Sequence, residues 1–307
     1  MLGGIEAGGT KFICGVGTGP EDLQTASFPT RTPQDTIPEV LRFFRESGGT
    51  ALRSLGIASF GPVDLDKSSP TFGHVTSTPK VGWANFDFLG ALKGGLGIPI
   101  SFDTDVNAAM LGEMRWGAAR GLSDAMYITV GTGIGGGIIA GGRIVHGLIH
   151  PEMGHLRIPH DLARDPYPGM CTYHGDCLEG LACGPAIEAR WRTSARDLPD
   201  SHPAWALEAH YLALAVLNCS LTVSPKRILL GGGVMSKQHL FPMIRDEFCH
   251  LANGYLRHQV VLEELDKYIL APQLGSRAGV LGSLVLAEQA SELADAYGPD
   301  ALVGGRA

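Results

Sequence analysis

Apolar positions along this chain alternate between short runs of strand period and longer stretches of helical period. Residues 2–7 and 11–16 read as two strands around Gly8, Gly9 and Thr10. Ile37, Val40, Leu41 and Phe44 share one face of a helix predicted over 36–47. The stretch 54–64 reads as a buried strand running into the Gly61-Pro62 turn. A strand over 98–105 ends in Asp103 and Asp105, and the next helix carries Ala108, Leu111, Met114 and Ala118 on one face. Residues 125–147 read as strand, glycine turn, strand, Gly141-Gly142 turn and strand. Helices at 184–197 and 203–222, a strand over 227–233 and a last helix over 277–294 complete the pattern. The alternation predicts an α/β protein.

Composition sharpens this. At 307 residues the chain suits two domains, and 44% hydrophobic with 18% charged residues is ordinary for a globular protein. The 43 glycines are clustered between apolar runs, so they read as tight turns rather than low complexity. A net charge of −7 argues against a nucleic-acid partner, which needs a basic face. No charged-then-apolar leader opens the sequence, and the apolar stretch 211–223 reads as too short and too polar to span a bilayer. A cytoplasmic protein without a membrane partner is expected. Six cysteines do not make a disulfide scaffold.

The opening strand pair has an echo. "GIEAGGTKFICGV" and "YITVGTGIGGGIIAG" share one layout: apolar strand, glycine turn with threonine, apolar strand. A duplicated unit would place two such hairpins where their backbone N–H groups hold a polyphosphate. Gly131, Gly133 and Gly136 also satisfy the dinucleotide spacing, with Glu152 downstream. That motif must open a helix, whereas "IIAGGRIV" reads as a second hairpin, so a Rossmann site is excluded.

Metal-ligating chemistry concentrates in residues 150–186. Cys171, His174 and Cys177 are spaced C-x2-H-x2-C, and His155 lies upstream across a loop broken by Pro and Gly. Thiolate and imidazole on a loop with little order of its own suit tetrahedral zinc. His146, His150 and His160 compete with His155 for the upstream place. His150 and His155, five apart with a proline between, do not form the H-E-x-x-H helix of a metalloprotease.

Taken together, these segments resemble the ROK family of sugar kinases and repressors, and most of all its bacterial fructokinases. The resemblance rests on "IEAGGTKF" (5–12), "GPVD" (61–64), "TPKVGWANFD" (from 78) and "DTDVNAA" (103–109). It continues through "GTGIGGG" (131–137), "HPEMGH" (150–155), "CTYHGDCLEGLACGPA" (171–186) and "LGGGV" (230–234).

This resemblance implies an actin-like ATPase (ribonuclease H-like) duplicated fold, with ATP and sugar meeting in a cleft between two lobes. The lobes are expected over 1–118 and 119–307, the final helix being a candidate to pack back on the first. Gly8, Gly9, Thr10 and Lys11 would form the first phosphate loop, Gly131, Thr132 and Gly133 the second, with Pro185 and Gly231, Gly232 and Gly233 toward the nucleotide. Asp105 matches the general base, although a helix N-cap is the common use of Asp at such a place. Gly61, Pro62, Thr104, Asp105, Glu152, His155 and Glu179 match sugar-binding positions. His155, Cys171, His174 and Cys177 match a structural zinc set. The implied cofactors are ATP, Mg²⁺ and Zn²⁺, and the implied assembly is a homodimer. Two departures stand out: Glu6 where many relatives have Asp, and Cys183 where Ser is usual before Gly-Pro. Fructose, phosphorylated at its 6-hydroxyl, is the expected substrate, with glucose, mannose or N-acetylmannosamine as alternatives. A repressor of the family would need an N-terminal helix-turn-helix, which this sequence does not carry ahead of its first loop.

Overall fold

The computed structural model describes residues 1–298, which group into two compact units. The first holds residues 1–120, 146–150 and 276–298; the second holds 121–145 and 151–275.

In the first unit, β1 (Leu2–Ala7), β2 (Lys11–Gly17) and β3 (Gln24–Pro29) form an antiparallel meander. Helix α1 (Pro33–Ser47) leads to β4 (Ser54–Ser59), which pairs with β1 in parallel. A short ribbon of β5 (His74–Val75) and β6 (Phe86–Asp87) precedes α2 (Phe88–Leu96). Then come β7 (Ile100–Thr104), parallel to β4, and α3 (Asp105–Trp116). The sheet order is β3-β2-β1-β4-β7. Helix α1 starts three residues earlier than the apolar spacing predicts, because Pro33 at its first turn needs no N–H partner and its φ is preset. The aromatic core of this unit stacks Phe12, Phe60, Phe86 and Phe88 around Trp83, which is fully buried.

The second unit repeats this plan. Strands β8 (Ala125–Val130), β9 (Ile134–Ala140) and β10 (Arg143–Ile144) form a meander. After a long loop come α4 (Leu178–Ala182), α5 (Gly184–Trp191) and α6 (Ala204–Val223). Strand β11 (Ile228–Gly231) pairs in parallel with β8. Helices α7 (Leu240–Ala252), α8 (Gln259–Glu263) and α9 (Leu265–Tyr268) lead to β12 (Ile269–Leu270), parallel to β11. The order is β10-β9-β8-β11-β12, so position and direction of every strand match the first sheet. The echo read in two glycine hairpins is an echo of whole sheets.

Helix α6 corrects one expectation. It spans Ala204–Val223, matching the helix expected over 203–222, and its 20 residues are long and apolar enough to cross a membrane by length and composition, where the stretch 211–223 alone reads as too short. Trp205, Tyr211, Leu212 and Val216 are buried in the core of the unit, where α6 packs with α7. Its all-round apolarity fits a buried core helix.

Helix α10 (Ala278–Tyr297) lies in the first unit. Gly15, Gly4 and Gly56 are register partners on β2, β1 and β4, forming a row without side chains across the sheet. A Cβ on any of them would strike Val280, Ser283 or Leu286 of α10, so the row is a seat for this helix. Gly112 of α3 gives a second close approach, since a Cβ there would lie 2.6 Å from the Ala278 carbonyl oxygen. This corrects the predicted face of α3: Ala108, Gly112 and Glu113 are buried, while Leu111 and Met114 are only partly so and Ala118 lies past the helix end.

Candidate functional site

In the first unit, the turn after β1 is drawn tight by hydrogen bonds. The Gly8 N–H donates to the Lys11 carbonyl (2.9 Å), and from just past the end of β3 the Thr30 hydroxyl donates to the Gly8 carbonyl (2.7 Å). No donation by the Gly9 or Thr10 amide occurs among the described residues, which leaves two N–H groups for an anion. Behind the turn, Glu6 is half-buried as a residue, and its Oε2 is buried without a hydrogen-bond partner among the described residues. Burial raises its pKa to about 7, against the Val280 N–H and the Lys11 charge. An orphaned carboxylate oxygen beside a phosphate-type loop fits a divalent cation.

Asp103 and Asp105 occupy different environments. Asp103 is 4% exposed, and its Oδ1 accepts from the Thr104 N–H and the Asn107 side-chain amide, both at 2.7 Å. Its Oδ2 meets His146 Nε2 at 2.8 Å. The helix cap is Thr104, whose hydroxyl accepts from the Asn107 N–H. Asp105, first residue of α3 and partly exposed, is therefore not the cap, although its Oδ1 accepts from the Val106 N–H (2.9 Å). Nearby, Gly61-Pro62 is a cis peptide, and the Pro62 carbonyl accepts from the Thr76 N–H and hydroxyl. His150 is buried and accepts from the Val63 N–H (3.3 Å).

His146, from sequence only a rival metal ligand, is instead bound to Asp103. The Asp103 hydrogen bond raises its pKa, with burial and Lys67 opposing. A raised histidine contributes stability fully below its unfolded value, about 6.5, and loses it as pH rises through the folded value. His146→Gln should therefore destabilise the protein most at pH 6 and less above neutrality. With the ring 44% exposed, the difference should stay below about 1 kcal/mol. Urea midpoints across this range check it; a deficit that grows with pH would contradict it.

In the second unit, the glycine turn between β8 and β9 gathers three other segments. The Gly131 N–H donates to the Gly133 carbonyl (2.9 Å), and the Gly131 carbonyl accepts from the Gly184 N–H (2.8 Å) at the start of α5. Pro185 follows in the first turn of that helix. A Cβ on Gly131 would lie 3.9 Å from the Gly233 nitrogen, so the end of β11 is adjacent. Gly232 has φ +91 and packs on the Val130 backbone, a conformation that excludes other residues. Thr132 is exposed on the turn. The structure thus brings Gly131, Thr132, Gly133, Pro185, Gly231, Gly232 and Gly233 into one neighbourhood.

Glu179 joins it. Its Oε2 accepts from the Ile134 N–H (2.8 Å), and a Cβ on Gly133 would come within 2.6 Å of the same oxygen. No local pattern marks this link between the α4 carboxylate and the glycine turn, which lie some 45 residues apart. Glu152 is partly buried; burial first, and the Glu179 charge second, raise its pKa.

His155, Cys171, His174 and Cys177 offer donor atoms that all lie within 4.8 Å of one another. Cys171 Sγ is 3.6 Å from His155 Nδ1 and 3.7 Å from His174 Nδ1; Cys177 Sγ is 3.5 Å from His155 Nδ1. Around tetrahedral zinc, Zn–S near 2.3 Å and Zn–N near 2.05 Å put sulfur and nitrogen about 3.6 Å apart. The donor set fits that ion. The competing histidines are engaged elsewhere: His146 and His150 as described, and His160 between Asp176 Oδ2 (3.2 Å) and the Asp165 carbonyl (2.9 Å). Under the loop, buried Asp165 pairs with Arg190 (3.1 Å) and accepts from the Tyr211 hydroxyl (2.6 Å). Arg157 donates to the His174 carbonyl (2.7 Å) and pairs with Asp176. Cys183 is buried, its Sγ 3.8 Å from Met170 Sδ.

Comparison with known proteins agrees along the chain. A relative from Bacillus subtilis (strain 168) is 49% identical over 301 residues, covering 97% of this chain and 99% of its own. The fructokinase of Pediococcus pentosaceus is 42% identical, covering 94% of this chain and 98% of its own. A solved ROK glucokinase from Streptomyces griseus, in complex with glucose and AMPPNP, superposes with a TM-score of 0.75 at 26% identity, covering 94% and 99%. With its paired five-stranded sheets, the chain has the actin-like ATPase fold. Residues 2–290 match the ROK family, and the chain belongs to it.

Proposed function

We propose that this protein is a fructokinase, transferring the γ-phosphoryl group of ATP to the 6-hydroxyl of D-fructose. The observation that carries fructose, rather than another hexose, is the match of nearly the whole chain to a fructokinase at 42% identity. The chemistry follows from the residues described. The loop of Gly8, Gly9, Thr10 and Lys11 in the first unit, through its uncommitted Gly9 and Thr10 amides, and the loop of Gly131, Thr132 and Gly133 in the second hold the phosphates. Pro185 and Gly231, Gly232 and Gly233 lie toward the adenosine. Asp105 takes the proton from the sugar hydroxyl as it attacks in line. Gly61, Pro62 and Thr104 border the sugar; Glu152, His155 and Glu179 accept or donate to its hydroxyls, and unpaired polar groups reject the wrong sugar. A primary hydroxyl is the least hindered nucleophile, which favours the 6-position.

Two metal ions accompany this reading. Glu6 would hold a divalent ion, Mg²⁺ with ATP, which when bound neutralises phosphate charge. His155, Cys171, His174 and Cys177 would hold zinc in a structural role, fixing the ring of His155. The enzyme works as a cytoplasmic homodimer. The test is ADP release on adding fructose: turnover requiring both ATP and Mg²⁺ is expected, and no turnover with any hexose would overturn the kinase reading.

A further inference from the structure

By its resemblance to the fructokinases, the segment 76–87, with its "TPKVGWANFD" run, is the stretch expected to discriminate sugars. The structure brings one of its residues, Lys80, against the glycine loop between β1 and β2. The backbone of Lys80 is fixed on both sides: its N–H faces the Thr78 hydroxyl (3.4 Å) and its carbonyl accepts from the Trp83 N–H (3.1 Å). Trp83 anchors the turn, its ring fully buried and its indole N–H donating to the Arg31 carbonyl (2.7 Å). From this pinned turn the Lys80 side chain runs to the loop between β1 and β2. A Cβ built on Gly9 would lie 2.7 Å from Lys80 Cε and 2.9 Å from its Nζ. The ammonium therefore occupies the space that only a glycine at position 9 leaves open.

That ammonium is uncommitted. Among the described residues Lys80 makes no hydrogen bond through Nζ and no ion pair, although it is half-buried. Gly9, Thr30, Arg31, Asp35 and Lys80 line a cavity of about 540 Å³. The other charged groups there are engaged: Arg31 pairs with Glu39 (2.7 Å), and Asp35 accepts from the Thr32 hydroxyl (2.6 Å). Lys11, the cation of the loop itself, acts on Glu6. A half-buried ammonium in no ion pair among the described residues, set against two amides that donate to nothing, is built for an oxyanion.

We infer that Lys80 contacts the nucleotide phosphates held at the loop of residues 8–11, and so is a catalytic residue of the transfer rather than a sugar-selecting one. This rests on the reading of that loop as a phosphate site. The ammonium would neutralise phosphate charge as the γ-group moves, a role fit for a point charge on a flexible stem.

The experiment compares Lys80→Met, Lys80→Arg and Thr10→Val with the parent enzyme, measuring KM for ATP and for fructose, kcat, and binding of ADP and AMPPNP by titration. Lys80→Met should lower kcat/KM for ATP by about tenfold to hundredfold, the loss expected for a charge-assisted contact. Its KM for fructose should change less than about threefold, and Lys80→Arg should recover part of the loss. A loss in AMPPNP binding that ADP does not share assigns the contact to the γ-phosphate; an equal loss in both assigns it to the β-phosphate. If Thr10→Val weakens nucleotide binding while Lys80→Met does not, the inference is wrong and the loop reading stands. If neither variant alters nucleotide binding, the loop reading itself has failed. A change in fructose KM alone for Lys80→Met returns the residue to the sugar and overturns the inference.

Discussion

Replacing Asp105 by Asn should lower kcat by about 10²-fold or more while leaving the fold and nucleotide binding in place. The separation of roles in the "DTDVNAA" segment makes this a clean experiment. Helix α3 is capped by the Thr104 hydroxyl, so the Asp105 carboxylate is not needed to start the helix. Asparagine keeps an oxygen to accept from the Val106 N–H and loses only the ability to take a proton. Asp103→Asn is the contrasting variant. That carboxylate ties together Thr104, Asn107 and His146 from a buried position, so its loss shows first in stability. Near-parental turnover in Asp105→Asn, measured with saturating ATP and fructose, would mean that another group is the base.

Cys177→Ser should abolish zinc binding and lower kcat/KM for fructose by about 10²-fold, the scale of a misplaced substrate-positioning group. Between β10 and α4, a span of over thirty residues, the only regular element among the described residues is one short turn at Met153–His155. Order in that loop depends on the four donor atoms and on the Asp165–Arg190 pair beneath it. Losing one ligand frees His155 and lets α4 shift, and with α4 the Glu179 carboxylate that holds the Ile134 N–H. Elemental analysis of protein purified without added metal should find one zinc per chain in the parent. Less than a tenth of an equivalent, with full activity, would contradict the assignment.

Much of this architecture was legible because strand alternation and glycine turns are local signals. The hairpins at 2–17 and 125–140 follow from apolar residues flanking glycines, and the Gly141-Gly142 turn has the positive φ values that such a pair supplies. The strand ending at Asp103 and Asp105 was equally visible, but which aspartate was structural was not. That depends on His146, some forty residues away, and on the cap duty falling to Thr104. The upstream member of the Cys/His cluster was open among four histidines. Burial of His150 and His160 against partners distant in sequence settles which ring meets the cysteines.

The glycine row of Gly15, Gly4 and Gly56 was hidden for a related reason. Its meaning lies in cross-strand register and in a helix more than 220 residues further along, and no local period records either. Glycines that looked superfluous in strands are the seat of α10. The buried face of α3 escaped likewise, because hydrophobic spacing cannot announce a contact made through Gly112. The link from Glu179 to Ile134 joins two segments that the sequence reading treated as separate chemistry, one for sugar and one for phosphate.

The central claim is best tested by one measurement: kcat/KM for fructose, mannose, glucose and N-acetylmannosamine with ATP and Mg²⁺, with the position of the new phosphate read by NMR. The account predicts fructose as the best substrate and fructose 6-phosphate as its product. A tenfold preference for glucose over fructose, or a 1-phosphate product, would contradict it.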